Sequence, residues 1–277
     1  MAEIVAIDAD LDEKETALLV KQGAEKRRLM GQLEWAPAEI LTTHLVLVGV
    51  GSVGSFALFA FAKMGCTNFT LIDPDHFEEH NIASQLCLER NSLGKPKVTE
   101  TGKLAMAFAP LPLNITTIQG KVTGTNLVEE GKNLGGNQTF PLEEVFKGIV
   151  VCSPDDMTAR KDSYAAAKKN PGCSGFIDIR VAGQNLQVFL VNFLTEKGQT
   201  HYEGSLYGNE SGFVPLCGAR SIVYTSMMAG AWAAKALQMM VKELDHADEY
   251  KIDVESGWCQ QMRNGMLYMS PLDLMEV

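Results

Sequence analysis

The chain has 277 residues, 46% hydrophobic and 21% charged, with 24 basic side chains against 34 acidic ones and a formal charge of −10. That apolar fraction excludes a disordered or low-complexity chain, and the length allows a sizeable core without staples. The acidic balance argues against nucleic acid or an anionic membrane surface as the main partner.

The opening residues, MAEIVAIDADLDEKET, alternate acids with apolar side chains and carry neither the basic nor the apolar region of a secretory leader, so a cytoplasmic setting is expected. Six cysteines at 66, 87, 152, 173, 217 and 259 form no Cys-x-x-Cys pair, which counts against structural zinc and fits reduced thiols. Residues 1–40 read as a charged helical lead-in. Ala17, Val20 and Ala24 fall at helical spacing, the basic cluster Lys26-Arg27-Arg28 follows, and Trp35-Ala-Pro37 breaks the pattern.

From residue 41 to 277 a single domain is expected. Leu45–Val48 is a continuous apolar strand, as when both faces of a sheet are covered. Leu45 to Ala62 carries no charge over 18 positions, the length of a membrane helix, but the Gly49–Ser55 run splits it into strand, turn and helix. Phe56–Met64 reads as helix, Phe69–Ile72 as strand, Lys97–Phe108 as helix and Asn114–Ile118 as strand. Glu143–Phe146 is a short helix, Gly148–Cys152 a strand and Met157–Lys169 a helix stopped by Pro171-Gly172. Phe176–Ile179 and Leu186–Phe193 are strands. Residues 195–216 are polar and glycine-rich, a crossover loop, and Gly131–Gln138 is a second loop. Arg220–Lys242 is a long apolar helix, and Lys251–Val254 and Met266–Met269 are short antiparallel strands. The alternation predicts an α/β fold: a doubly wound, Rossmann-like, mostly parallel sheet with helices on both faces and an antiparallel C-terminal extension.

The clearest motif is Gly49-Val-Gly51-Ser-Val-Gly54, after a strand and opening a helix. The first glycine allows the tight turn, the second lets backbone approach a phosphate, and the third lets helix and strand pack closely. The helix N-terminus then offers N–H groups and partial positive charge. Asp73 ends the next strand, placed to accept hydrogen bonds from a ribose. Alone, the motif indicates only a nucleotide.

The residues that follow are more specific. Asp73-Pro-Asp75 precedes Asn81-Ile-Ala-Ser84-Gln85, and then comes Gly94-Lys-Pro-Lys97. Here the sequence resembles the ThiF/MoeB/HesA family of ubiquitin-activating-enzyme-like adenylyltransferases, in the spacing of the Asp-x-Asp strand end, the Asn box and the Gly-x-x-Lys segment. Phe61–Gly65, Val151–Arg160, Asp178–Gly183 and Pro215–Tyr224 are also similar to it. The likeness runs from about His44 to Leu244 and looks nearest to the short, zinc-free type of phage and bacterial operons. It implies ATP and Mg²⁺ as cofactors, with Gly49, Gly51, Gly54, Asp73, Asp75, Asn81, Gln85 and Lys97 around the nucleotide. Asn81 would donate to the phosphates, Lys97 would neutralise the triphosphate, and Asp155 would hold Mg²⁺, with adjacent Asp156 as the alternative ligand. Asp155 also reads as an ordinary helix N-cap.

The sequence departs from the family at Ser84, where the box has an arginine; a serine cannot supply a charged fork. Arg27, Arg28 or Arg180 are the substitutes, Arg28 preferred by analogy with relatives that insert an N-terminal arginine into the partner protomer's site. Cys217, ahead of the long helix and near Arg220, matches the place where some relatives form a thioester, and equally reads as a small buried hydrophobe. The expectation is a homodimeric enzyme that adenylates the C-terminal carboxylate of a ubiquitin-like or sulfur-carrier protein, with Asp155, Lys97, Asn81, Arg28 and Cys217 in the chemistry and neither nucleic acid nor membrane as partner. Its rivals are a pseudo-adenylase, an NAD-dependent oxidoreductase on the same fold, and a dehydratase-like or cyclising relative acting on a small carboxylate or carbamoyl-tRNA.

Overall fold

A computed structural model describes residues 6–7, 38–87, 90–124, 126–129, 138–182, 185–193, 196–206, 223–242, 250–255, 258–263 and 266–271. Strands in chain order are β1 (Ala6–Ile7), β2 (His44–Val48), β3 (Asn68–Ile72), β4 (Asn114–Ile118), β5 (Gly120–Thr123), β6 (Asn126–Glu129), β7 (Gln138–Pro141), β8 (Gly148–Cys152), β9 (Cys173–Ala182), β10 (Asn185–Asn192), β11 (Tyr250–Glu255), β12 (Trp258–Arg263) and β13 (Met266–Pro271). Helices are α1 (Ser52–Met64), α2 (Lys97–Phe108), α3 (Leu142–Val145), α4 (Met157–Lys169), α5 (Glu196–Gly204) and α6 (Val223–Lys242).

Ten strands form one sheet in the order β1-β4-β3-β2-β8-β9-β10-β11-β12-β13. Its centre, β4-β3-β2-β8-β9, is parallel throughout. From β10 outward every pairing is antiparallel. The fold is therefore the expected Rossmann-like α/β sheet with an antiparallel C-terminal side. β2 pairs with β3 on one side and β8 on the other, so the strand order reverses between β2 and β8. In such sheets ligands bind outside the carboxyl ends of the strands at that reversal.

The apolar strands pack on both faces because successive side chains point opposite ways. Leu45, Leu47, Ile149, Val151, Ile177 and Ile179 enter one core with Ala57, Leu58 and Phe61 of α1, Ala105 of α2 and Ala233 of α6. Val46, Val48, Val150, Cys152 and Phe176 enter the other core with Leu142 of α3, Tyr164 of α4 and Tyr202 of α5. Cys152 is fully buried in that second core, and burial pushes its thiol far up, as expected of a small core hydrophobe. Helix α6 crosses α1 closely: a Cβ on Gly230 would come within 2.7 Å of the Phe56 carbonyl carbon.

Several elements differ from the sequence reading. Ala6–Ile7, inside the expected helical lead-in, forms an edge strand antiparallel to β4. Apart from β1 and a 3-10 turn at Ala38–Leu41, residues 1–40 lie outside the described residues. The expected crossover loop carries α5 over Glu196–Gly204. A separate three-stranded antiparallel sheet, β5-β6-β7, stands between β4 and α3 where only a loop was expected. β12 was not anticipated. Among the described residues no helix is long and apolar enough to cross a membrane.

Candidate active site

The glycine turn sits at the strand-order reversal. Gly49 follows β2 with φ +88°, a conformation that side chains with a Cβ rarely adopt. Its N–H donates to the Ile72 carbonyl at 2.8 Å, and its carbonyl accepts from Ser153 Oγ at 2.9 Å. The Ser153 N–H donates to the Val48 carbonyl at 2.8 Å. The turn after β2 and the turn after β8 thus brace each other. A Cβ on Gly54 would overlap the Gly49 carbonyl and lie 2.9 Å from Ser153 Oγ, so the third glycine has no space for a side chain. Gly54→Ala must push α1 away from this brace and is expected to cost about 3 kcal/mol, read as a lower urea midpoint, with nucleotide binding weakened alongside. The second glycine differs: a Cβ on Gly51 would meet only Gln85 Nε2, at 3.8 Å. Gly51 caps α1 without a side-chain hydrogen bond. An open glycine at an uncapped helix start is the form of an anion-binding turn.

The end of β3 supplies the acidic side. Asp73 is almost fully buried; its Oδ2 accepts from the Val50 N–H at 2.8 Å and its Oδ1 from the Asp75 N–H at 2.9 Å. Burial pushes its carboxyl above the ordinary carboxylate range, against the pull of Lys97 and those two N–H groups. Each oxygen keeps a second lone pair for a ligand hydroxyl. Residues 73–77 are laced to residues 94–97. The Phe77 N–H donates to the Lys95 carbonyl, Gly94 N–H to the Phe77 carbonyl, and Lys97 N–H to the Asp75 carbonyl, at 2.8–2.9 Å. Lys97 begins α2, its side chain is buried, and Nζ donates to Asp75 Oδ2 at 2.8 Å.

In the first turn of α2, buried Glu100 holds this connection. It accepts from Ser92 Oγ at 2.7 Å and Lys103 Nζ at 2.8 Å. Burial pushes its carboxyl up, but the bonds from Lys103 and Ser92 outweigh that and hold it below its ordinary value. A depressed folded-state value contributes stability above the unfolded value of about 4.3 and loses it as pH falls through the folded value. Glu100→Gln is therefore expected to flatten the acid limb of the stability curve below about pH 5, measured by urea melts in a pH series; an unchanged limb would remove Glu100 as its source.

Asn81 is buried at the end of a 3-10 turn (Glu79–Asn81). Its Oδ1 accepts from the Glu78 N–H at 2.9 Å, so what it offers a ligand is its amide Nδ2. The Oε1 of Gln85 is buried with no hydrogen-bond partner among the described residues, while the Nε2 of the same amide lies toward the open face of Gly51.

Across the crevice, Asp155 is exposed in the turn after β8. The helix cap belongs to its neighbour: Asp156 Oδ1 accepts from the Thr158 N–H at 2.9 Å at the start of α4. Behind the turn lies a buried charge cluster of which the sequence suggested a role for Arg180 alone. Arg160 donates to the Pro154 carbonyl, to Asp178 Oδ1 and, at 3.1 Å, to the Ile179 carbonyl. Asp178 is fully buried and also accepts from Arg180 Nε at 2.7 Å and the Tyr202 hydroxyl at 3.0 Å. Arg180 bonds the Ser205 carbonyl and hydroxyl as well and lies over the Phe189 ring, 4.4 Å from its centroid. Its bonds to Asp178 and Ser205 tie it to this cluster, and none of them goes to the Asn81–Gln85 segment that holds Ser84. Arg27, Arg28 and Cys217 lie outside the described residues. The crevice thus gathers Gly49, Gly51, Gly54, Asp73, Asp75 and Lys97 on one side and the Asp155 turn on the other, with Asn81 and Gln85 in the connecting segment.

A family model described as the ThiF family matches residues 29–263. The chain belongs to the ThiF family. Its fold is shared with E. coli MccB, whose crystal structure with succinimide is 15% identical with a TM-score of 0.61, covering 88% of this chain and 72% of that one. MccB with selenomethionyl MccA gives a TM-score of 0.61 at 15% identity, over 95% of this chain and 80% of that one. E. coli tRNA N6-threonylcarbamoyladenosine dehydratase, TcdA, gives 0.51 at 17% identity, over 84% and 98%. Among curated proteins, tRNA threonylcarbamoyladenosine dehydratase 1 of Saccharomyces cerevisiae is 32% identical over 60 residues, 22% of this chain and 14% of that protein. This ThiF-family chain has an adenylyltransferase-type fold whose glycine turn stands where the sheet reverses.

Proposed function

We propose that the chain binds ATP with Mg²⁺ and adenylates the C-terminal carboxylate of a ubiquitin-like or sulfur-carrier protein, or of a peptide, releasing pyrophosphate. The observation that carries the reading is the meeting of three groups at one crevice: the open Gly51 turn, the Asp73–Lys97 pair of loops, and the Asp155 turn. ATP fits the residues present. The space over Gly51 is open for phosphate, and Gln85 Oε1 has a buried lone pair awaiting a ribose or adenine donor. Among the described residues no cluster of three His, Cys, Asp or Glu side chains stands ready for a cation. Mg²⁺ is commonly held by one or two carboxylates together with substrate phosphate oxygens. Asp155 would hold it, and it would supply charge neutralisation at the phosphates.

In this reading the carrier carboxylate attacks the α-phosphorus, the bond to the β-phosphate breaks, and pyrophosphate departs. Asp73 orients the ribose. Lys97, swinging from Asp75, and the Asn81 amide meet the phosphates, so the chain's work is positioning and charge stabilisation. Arg28 of a second protomer takes the place left by Ser84, and the Cys217 thiolate attacks the acyl adenylate, forming the thioester as the acyl–oxygen bond breaks and AMP leaves.

The names of the relatives supply support of two kinds: MccB was crystallised with MccA, while the tRNA dehydratases act on a modified nucleoside. A charge of −10 favours the first kind of substrate. The test is exchange of labelled pyrophosphate into ATP with glycine-tailed carriers. Carrier-dependent exchange supports the adenylating enzyme. ATP binding without exchange favours the pseudo-adenylase reading that Ser84 motivates, and binding of NAD in place of ATP overturns the proposal.

A further inference from the structure

The Asp155 turn is held by a chain of bonds that begins on α5, which packs against α4 on the same face of the sheet. Tyr202, on α5, is fully buried. Its ring lies 4.7 Å from that of Tyr164, 5.7 Å from Phe176 and 5.6 Å from Phe189, which docks α5 on the sheet. Its hydroxyl donates to Asp178 Oδ2 at 3.0 Å. Burial and the Asp178 charge push its phenol well up, so it stays a neutral donor. The other oxygen of Asp178 receives Arg160, and Arg160 reaches on to the carbonyl of Pro154, the residue before Asp155. Arg160 also holds the Ile179 carbonyl at 3.1 Å, so its planar fork spans three acceptors at once. The groups facing Asp178 are thus Arg160 from α4, Arg180 from its own strand and Tyr202 from α5, with the Cys152 thiol beside them on β8.

We propose that Tyr202, acting through Asp178 and Arg160, is a positioning residue for Asp155: docking of α5 fixes the backbone that aims the metal-binding carboxylate. The proposal rests on the reading of Asp155 as the Mg²⁺ ligand. The geometry sets a direction of action. Arg160 grips the backbone carbonyl next to Asp155, so slack at Asp178 moves the carboxylate and leaves Gly51, Asp73 and Lys97 in place. Metal affinity depends on such outer partners because they orient the ligand without touching the ion.

Tyr202→Phe tests this, since it removes one hydroxyl and keeps the aromatic packing. The full chain is titrated with ATP by calorimetry, in EDTA and across a Mg²⁺ series. The expected result is a Mg²⁺ half-saturation raised roughly tenfold, with ATP affinity in EDTA unmoved. Arg160→Lys, which keeps the charge and gives up the fork, should shift it the same way. Asp155→Ala serves as the reference and should remove the Mg²⁺ dependence. If Asp155→Ala removes it and Tyr202→Phe leaves it at the wild-type value, the positioning role is overturned while the metal assignment stands. If Asp155→Ala leaves it intact, the metal assignment falls and the positioning role falls with it. Equal loss of ATP affinity with and without Mg²⁺ in Tyr202→Phe also overturns the proposal, because it means general loosening of the crevice.

Discussion

Asp155→Ala is expected to lower carrier-dependent pyrophosphate exchange by roughly 10²–10³-fold, the loss of several kcal/mol of transition-state charge stabilisation. The fold should tolerate it. The side chain is exposed, and the α4 cap is made by Asp156 through the Thr158 N–H at 2.9 Å. A thermal midpoint within about 2 °C of the parent is expected. Asp156→Ala gives the opposite pattern: about 1 kcal/mol of stability lost with the cap, and exchange retained. The pair of variants decides an ambiguity that two adjacent aspartates create. If exchange survives Asp155→Ala and disappears in Asp156→Ala, the metal-binding role belongs to the capping residue.

The second large effect is on stability. Among the described residues, Asp178 is the carboxylate that two buried guanidiniums and a buried phenol share. Asp178→Ala leaves Arg160 and Arg180 without their shared counter-charge, and breaking such a buried pair costs about 3–5 kcal/mol. A domain's whole stability is about 5–15 kcal/mol, so this variant sits near the edge of folding. Asp178→Asn keeps an acceptor for one guanidinium and should lose less. Urea unfolding followed by circular dichroism measures both. A loss below about 1 kcal/mol for Asp178→Ala would mean that water or backbone carbonyls satisfy the guanidiniums, and the cluster would no longer explain the rigidity of the Asp155 turn.

The central fold was legible because its signals are strong and local. Strands β2, β3, β4 and β8 are short apolar or β-branched runs, and α2 and α4 begin and end at positions marked by proline, aspartate or glycine. The glycine motif marked the turn because its glycines meet distinct conditions: a positive φ at Gly49, an open face at Gly51 and a packed face at Gly54. Other elements carried weak signals. β12, Trp258-Cys-Gln-Gln-Met-Arg263, has no period-two alternation and is placed by pairing on both sides with β11 and β13. Helix α5 is polar and contains Gly198 and Thr200, and what fixes it is the burial of Tyr202, a long-range contact. The β5-β6-β7 sheet consists of three four-residue strands, Gly-Lys-Val-Thr, Asn-Leu-Val-Glu and Gln-Thr-Phe-Pro, each too short for a period-two pattern to stand out.

At the site, the roles expected of Asp73, Asn81 and Lys97 came with the family resemblance, which their spacing carries. The charge cluster did not follow from it, because Arg160, Asp178 and Arg180 carry no pattern that separates a buried ion pair from a solvated face. Only the stacking of β9 beside β8 brings them together. Nor did sequence distinguish Asp155 from Asp156, since both precede an apolar helical run and either makes an acceptable cap.

The hydrogen bond from Ser153 Oγ to the Gly49 carbonyl joins positions 104 residues apart. Its consequence concerns the order in which the molecule is made. A nascent chain that has emerged as far as β4 already carries every glycine of the nucleotide turn, Asp73 and Lys97, yet lacks the brace that sets the turn's shape. In the proposed reading, competence for nucleotide is gained late, when β8 enters the sheet beside β2, and not when the motif leaves the ribosome. Contacts so distant in sequence are slow to close. Ligand present during synthesis would act on that last step, favouring the closed sheet by mass action and withholding its stabilisation from every shorter intermediate.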